Sequence, residues 1–158
     1  MSKLSTCLWF DDKAEEAARF YTGLFKDTSM GEILRYGRDT PGKEGAVMTV
    51  SFTLFGEEFV ALNGGPEYHF SPAVSFMVKC ADQAEIDRYW DALADGGEEM
   101  QCGWVTDRFG VSWQITPAVL FDMLNDSDPQ KAYRATQAML KMVKLDIAEL
   151  QRAYNDRN

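Results

Sequence analysis

The sequence predicts an α+β domain built from two βαβββ-type modules, expected to form paired curved sheets around a shared cavity, with helices added at the C-terminal end. Three observations predict it. The pattern Glu-x-x-Arg-aromatic-aromatic occurs at Glu16–Tyr21 and again at Glu85–Trp90, 69 positions later, and Leu24 and Leu93 match at the same displacement. Each copy sits in an amphipathic stretch with a β-like run before it and further runs after it. From Pro117 onward the texture turns helical.

Module one covers about residues 4–63. Leu4 to Phe10 reads as its first strand. The helix at about 13–25 repeats apolar residues at intervals of three and four, as one buried face requires, and Asp12 is its expected N-cap. Strands follow at about 30–36, 46–54 and 58–63, punctuated by Gly42, Gly45 and Phe55-Gly56. The stretch at about 64–72 is rich in Gly and Pro and reads as a linker.

Module two, about 73–117, begins with a strand from Ala73 to Cys80. A helix at about 82–95 has Asp82 as expected N-cap and ends at Gly96-Gly97. Strands at about 99–105 and 111–116 surround the turn Asp107–Gly110, and this copy is shorter than the first by about fifteen residues. The C-terminal helices at about 118–156 comprise Ala118 to Leu124, a helix opened by Pro129 and running to about Val143, and a last one from Asp146 to Tyr154. The chain as a whole, 1–158, is expected to be one domain.

A formal charge of −9 argues against nucleic acid or an anionic membrane as partner, because phosphate binding relies on clustered Lys and Arg. A small molecule fits better, since 46% of residues are apolar, with ten Phe, six Tyr and four Trp. No signal-peptide pattern or membrane-length apolar run is seen, so a cytoplasmic location is expected. Cys7, Cys80 and Cys102, an odd set without a C-x-x-C pair, read as reduced thiols. His69, the single histidine, falls in the linker with no Asp, Cys or second His at ligand spacing.

Several strings carry a resemblance: Leu8-Trp9-Phe10-Asp11, Ala14 to Tyr21, Leu62-Asn63-Gly64-Gly65-Pro66, Asp87-Arg88-Tyr89-Trp90, Gly96-Gly97-Glu98-Glu99, Cys102-Gly103-Trp104 and Gly110 to Ile115. The chain resembles the PhnB-like branch of the glyoxalase/bleomycin-resistance/dioxygenase (vicinal oxygen chelate) superfamily, from about residue 4 to 120 and on through the terminal helices. Members of that branch often carry the label 3-demethylubiquinone-9 3-methyltransferase. The sequence gives methyl transfer no support: Gly64-Gly65 leads into Pro66 rather than opening a helix, and no doubly wound alternation surrounds it.

Metal-dependent relatives place a His in the first strand of a module and a Glu in its last. At the corresponding positions this chain has Thr6 and Ser75, then Gln114 and the neighbourhood of Val60. These are neutral, weak donors or none, whereas a catalytic divalent ion usually takes carboxylate, thiolate or imidazole ligands. No metal and no other cofactor is therefore expected. Thr6, Ser75 and Gln114 are expected to line a ligand cavity with Leu8, Trp104 and Trp113, with Phe10, Phe52, Leu54 and Phe76 as further walls. No side chain is assigned a catalytic role; Cys102 has no neighbouring base.

The function expected is metal-free binding of a small apolar or aromatic molecule. Alternatives are a glyoxalase- or dioxygenase-type enzyme with ligands at non-standard positions, and a mainly structural role. The resemblance implies a homodimer, to which Met139, Leu140, Met142 and Val143 are expected to offer an apolar face.

Overall fold

The structure is a computed structural model that describes residues 2–156, and it is α+β, with two four-stranded mixed sheets and five helices among the described residues. It divides into two compact units, Met1–Phe70 and Ser71–Asn158. The first holds β1 (Thr6–Phe10), α1 (Ala14–Leu24), β2 (Ser29–Arg35), β3 (Val47–Leu54) and β4 (Glu57–Asn63), in sheet order β1-β4-β3-β2. The second holds β5 (Ser75–Cys80), α2 (Gln83–Ala94), β6 (Glu98–Glu99), β7 (Trp104–Thr106) and β8 (Ser112–Pro117), in order β5-β8-β7-β6. In both sheets the first strand pairs in parallel with the last and all other pairs are antiparallel. One connectivity is thus used twice, as the repeat predicts.

In the first unit, strand alternation sends Leu8, Phe10, Val50, Phe52, Phe59 and Ala61 to one face, where they are buried. That face meets α1: Tyr21 stacks on Phe52 at 6.3 Å, and Phe52 on Phe59 at 5.3 Å. Ala14, Ala17 and Ala18 are fully buried on the helix, and their small side chains let it lie close to the sheet. Asp12 does not cap α1; the N-cap position is Lys13, without a side-chain cap bond. The Ala14 N–H instead donates to Asn63 Oδ1 at 2.8 Å, an acceptor brought from 49 residues away. Residues of the linker fold back on β1, with Trp9 against Tyr68 and Phe10 against Phe70.

In the second unit, Val78, Cys80, Trp113, Ile115 and Val105 are buried on the sheet, and Ile86, Tyr89, Trp90 and Leu93 are buried on α2. Asp82 caps α2 as expected, accepting from the Glu85 N–H at 2.9 Å, while Glu85 Oε1 accepts from the Ala81 N–H. The single strand expected at 99–105 is broken into β6 and β7. Cys102 and Gly103 both adopt left-handed backbone (φ 60° and 83°), and the Trp104 N–H donates to Gln101 O, so the chain turns back on itself there.

Three helices follow: α3 (Ala118–Leu124), α4 (Pro129–Leu140) and α5 (Ile147–Asn155). Helix α4 stops at Leu140 rather than near Val143, because Met142 O and Val143 O accept the N–H groups of Cys102 and Gly103, both at 2.8 Å. Leu120, Met123, Ala135, Leu145 and Leu150 form a core of their own, against which Met139 and Met142 pack, while Leu140 is exposed.

Candidate functional site

Each sheet has a face turned away from its own helix. On the second sheet, register places Ser75 and Met77 of β5, Gln114 of β8 and Trp104 of β7 on that face, with Met77 and Trp104 flanking Gln114 on its two sides. Gln114 Nε2 donates to Ser75 Oγ at 2.9 Å. By inventory this leaves the Gln114 carbonyl to accept and the Ser75 hydroxyl to donate. Trp104 is half-buried and Met77 is 49% exposed, so apolar surface borders a neutral donor–acceptor pair.

Ser75, Gln114 and Trp104 are therefore brought together. Trp113 sits on the opposite face of the same sheet, 2% exposed, beside Phe76 at 5.4 Å. Its indole Nε1–H donates to Asp107 Oδ2 at 2.9 Å, and Asp107 Oδ1 accepts from the N–H groups of Phe109 and Val111. Thr6 and Leu8 belong to the first unit and lie on the face of its sheet that meets α1, paired with Phe59 and Ala61. Phe10 and Phe52 share that face, and Leu54 is buried with them.

Met77 was not singled out by sequence reasoning. Its signal was available: it stands two residues after Ser75 on a strand that pairs with the one carrying Gln114. On the first sheet the outward face instead carries Cys7, Trp9, Ser51 and Val60. None of the three cysteines forms a disulfide, and partial desolvation by its neighbours pushes the thiol of the exposed Cys7 above its ordinary value.

The superfamily's metal does not fit these positions. Thr6 and Val60 point to opposite faces of their sheet, Ser75 and Gln114 are neutral and bonded to one another, and the described residues contain no group of three or more His, Cys, Asp or Glu that could hold an ion. A nucleoside-type methyl donor fits no better at Gly64-Gly65. A Cβ on Gly64 would meet the Trp9 ring at 2.4 Å, and Gly65 O accepts the Trp9 indole N–H at 2.9 Å, so this Gly-Gly serves the close seating of Trp9.

Two clefts lie elsewhere. One of about 440 Å³ is bordered by Asp11, Glu15, Tyr36 and Lys43, and one of about 460 Å³ by Tyr133, Arg134, Lys141 and Glu149. Both have charged groups at the rim of mostly apolar walls; the first lies at the N-terminal end of α1 and the second between α4 and α5.

The model of the family described as 3-demethylubiquinone-9 3-methyltransferase matches residues 2–116, so α3, α4 and α5 lie outside it, unlike the reach of the resemblance expected from sequence. A solved structure of a putative 3-demethylubiquinone-9 3-methyltransferase, PhnB protein, from Bacillus cereus is 40% identical with a TM-score of 0.68, over 74% of this chain and 100% of that one. The fold alone is shared with protein PA1353 from Pseudomonas aeruginosa (22% identity, TM-score 0.59, 72% and 95% covered). The same holds for the fosfomycin resistance protein FosX from Mesorhizobium loti (16%, 0.54, 80% and 100%). No curated protein matches the chain.

Proposed function

We propose a ligand-binding function for this chain, which belongs to the 3-demethylubiquinone-9 3-methyltransferase family, the PhnB-like branch of the vicinal oxygen chelate superfamily. The ligand is a small apolar or aromatic molecule carrying a hydrogen-bonding oxygen, held without a metal or other cofactor. The observation that carries this reading is the Ser75–Gln114 pair, with Met77 and Trp104 flanking Gln114. A carbonyl or hydroxyl on the ligand bonds the pair while its ring lies against the indole and thioether, the usual composition of a small-molecule site. The substrate named in the family's description falls within that ligand class. Methyl transfer does not follow, because among the described residues no glycine-rich turn joins a strand to a helix for a methyl donor.

We further read the protein as a cytoplasmic homodimer. Its superfamily commonly shares sheets between chains, and no helix among the described residues is long and apolar enough to cross a membrane.

Native mass spectrometry with elemental analysis, on protein purified without chelator, tests these points together. The expected result is a dimer with no stoichiometric metal and a retained organic mass. About one transition metal per chain would overturn the metal-free reading in favour of an enzyme with relocated ligands, and a monomer mass would remove the dimer. Trp104→Ala is expected to weaken binding of the neutral apolar dye N-phenyl-1-naphthylamine about tenfold, the scale of one lost aromatic contact with its buried area.

A further inference from the structure

We propose that residues 142–146, between α4 and α5, act as a strap that positions Trp104 at the binding face, with Gln83 as its clamp; this rests on the reading of that face given above. Trp104 directly follows the Cys102–Gly103 turn, and that turn is held from outside its own sheet. The N–H groups of Cys102 and Gly103 donate to Met142 O and Val143 O, both at 2.8 Å. Gly103 O in turn accepts from the Ile115 N–H at 2.8 Å, which ties the turn to β8 one residue beyond Gln114. The left-handed backbone at Cys102 is unfavourable for a residue with a Cβ and persists only where its surroundings impose it. Here the two carbonyls of the strap do so.

The strap is itself anchored at three points. Leu145 is 1% exposed in the C-terminal core, and it approaches Gly103 so closely that a Cβ there would lie 2.9 Å from its Cδ1. Gln83, in the first turn of α2, donates from Nε2 to Leu145 O at 3.1 Å and accepts at Oε1 from the Ile147 N–H at 2.8 Å. One amide side chain thereby satisfies both backbone groups on either side of Asp146. Lys144 Nζ lies 3.1 Å from Asp87 and 3.7 Å from Asp91, one and two turns further along α2.

A chain of direct contacts therefore runs from α2 through the strap and the turn to Trp104, and a shift in the strap moves the indole relative to Gln114. Trp113 supplies an internal control. It lies in the same unit but is fixed by Asp107 rather than by the strap.

The test uses the full chain labelled with 5-fluorotryptophan, with the Trp104 resonance assigned from Trp104→Phe, and compares Gln83→Ala with the parent. The expected result is a shifted or broadened Trp104 resonance with Trp113 unmoved, and about tenfold faster hydrogen exchange at the Cys102 and Gly103 amides. N-phenyl-1-naphthylamine affinity is expected to fall severalfold, and Gln83→Glu, which keeps the acceptor for Ile147, to recover part of each change. Leu145→Val provides a second lesion of the strap should Gln83→Ala fail to fold. An unchanged Trp104 resonance and unchanged exchange at both amides would overturn the strap; so would equal shifts of Trp104 and Trp113, which report general loosening. Dye affinity indifferent to Trp104→Ala would instead defeat the binding reading, and the resonance and exchange data would still judge the strap.

Discussion

Asp107 shows how much one side chain organises in the second unit. At 3% exposure its carboxylate takes the Phe109 and Val111 N–H groups on one oxygen and the Trp113 indole N–H on the other, fixing the β7–β8 turn and the orientation of Trp113 together. Asp107→Ala removes all three acceptor contacts from buried or half-buried donors, and hydrogen bonds to charged groups contribute roughly 1.5–3 kcal/mol each, non-additively. A loss of about 3 kcal/mol in urea unfolding is expected, with Trp113→Phe costing about half as much. A loss under about 1 kcal/mol for Asp107→Ala would show that the turn holds without it. Cys7 makes a second residue-scale prediction. Cys7 is exposed, but partial desolvation raises its pKa, so less of it is thiolate at pH 8 than of an unperturbed thiol. Its alkylation by iodoacetamide, followed by peptide mass, is expected to lag behind that of free cysteine at the same pH.

At the scale of elements, helix and strand positions were largely legible because they rest on local periodicity, whereas their ends and faces rest on distant partners. Alternation in Thr6–Phe10 shows that Thr6, Leu8 and Phe10 share one face and Cys7 and Trp9 the other. Both sets contain large apolar residues, so nothing local says which meets the helix; the contact of Tyr21 with Phe52 decides it. The start of α1 depends on Asn63, and the end of α4 on the Cys102–Gly103 turn. The strap between α4 and α5 carries a pH signature. The Gln83 amide, and then Lys144, hold the Asp87 carboxyl below its ordinary value. A group whose folded pKa is lowered contributes stability above its unfolded pKa and loses it as pH falls through the folded one. Exchange protection at Cys102 and Gly103 is therefore expected to stay level from pH 7 down to the usual carboxylate range, near pH 4, and to drop only below it. Loss of protection already between pH 7 and 5 would contradict this. The Tyr154 hydroxyl, which donates to Asp126, is raised and acts with the opposite sign: its contribution is complete below the usual tyrosine range and is lost as pH rises past it.

For the whole molecule, the duplication was the most legible feature. The repeated helix pattern, with Tyr21 and Trp90 both deeply buried at matching positions, is the sequence image of the two identical strand orders. Chemistry was less legible, since the residues at the superfamily's ligand positions are neutral and their side-chain environment is set by sheet faces. Charge, by contrast, is a property of the whole chain, and it combines with the two perturbed carboxyls into one prediction. The sequence isoelectric point is near 4.6, where carboxylates dominate the titration. Asp126 is held below its ordinary value by the Tyr154 hydroxyl, as Asp87 is by Gln83 and Lys144. Both stay ionised to lower pH in the folded chain than in the unfolded one, so these two groups carry more negative charge in the native protein near pH 4.6. Isoelectric focusing with and without urea is expected to place the native band at lower pH than the unfolded band. Gln83→Ala, which removes the largest cause of the Asp87 shift, is expected to narrow that gap, and a gap unchanged by this substitution would refute the Asp87 assignment.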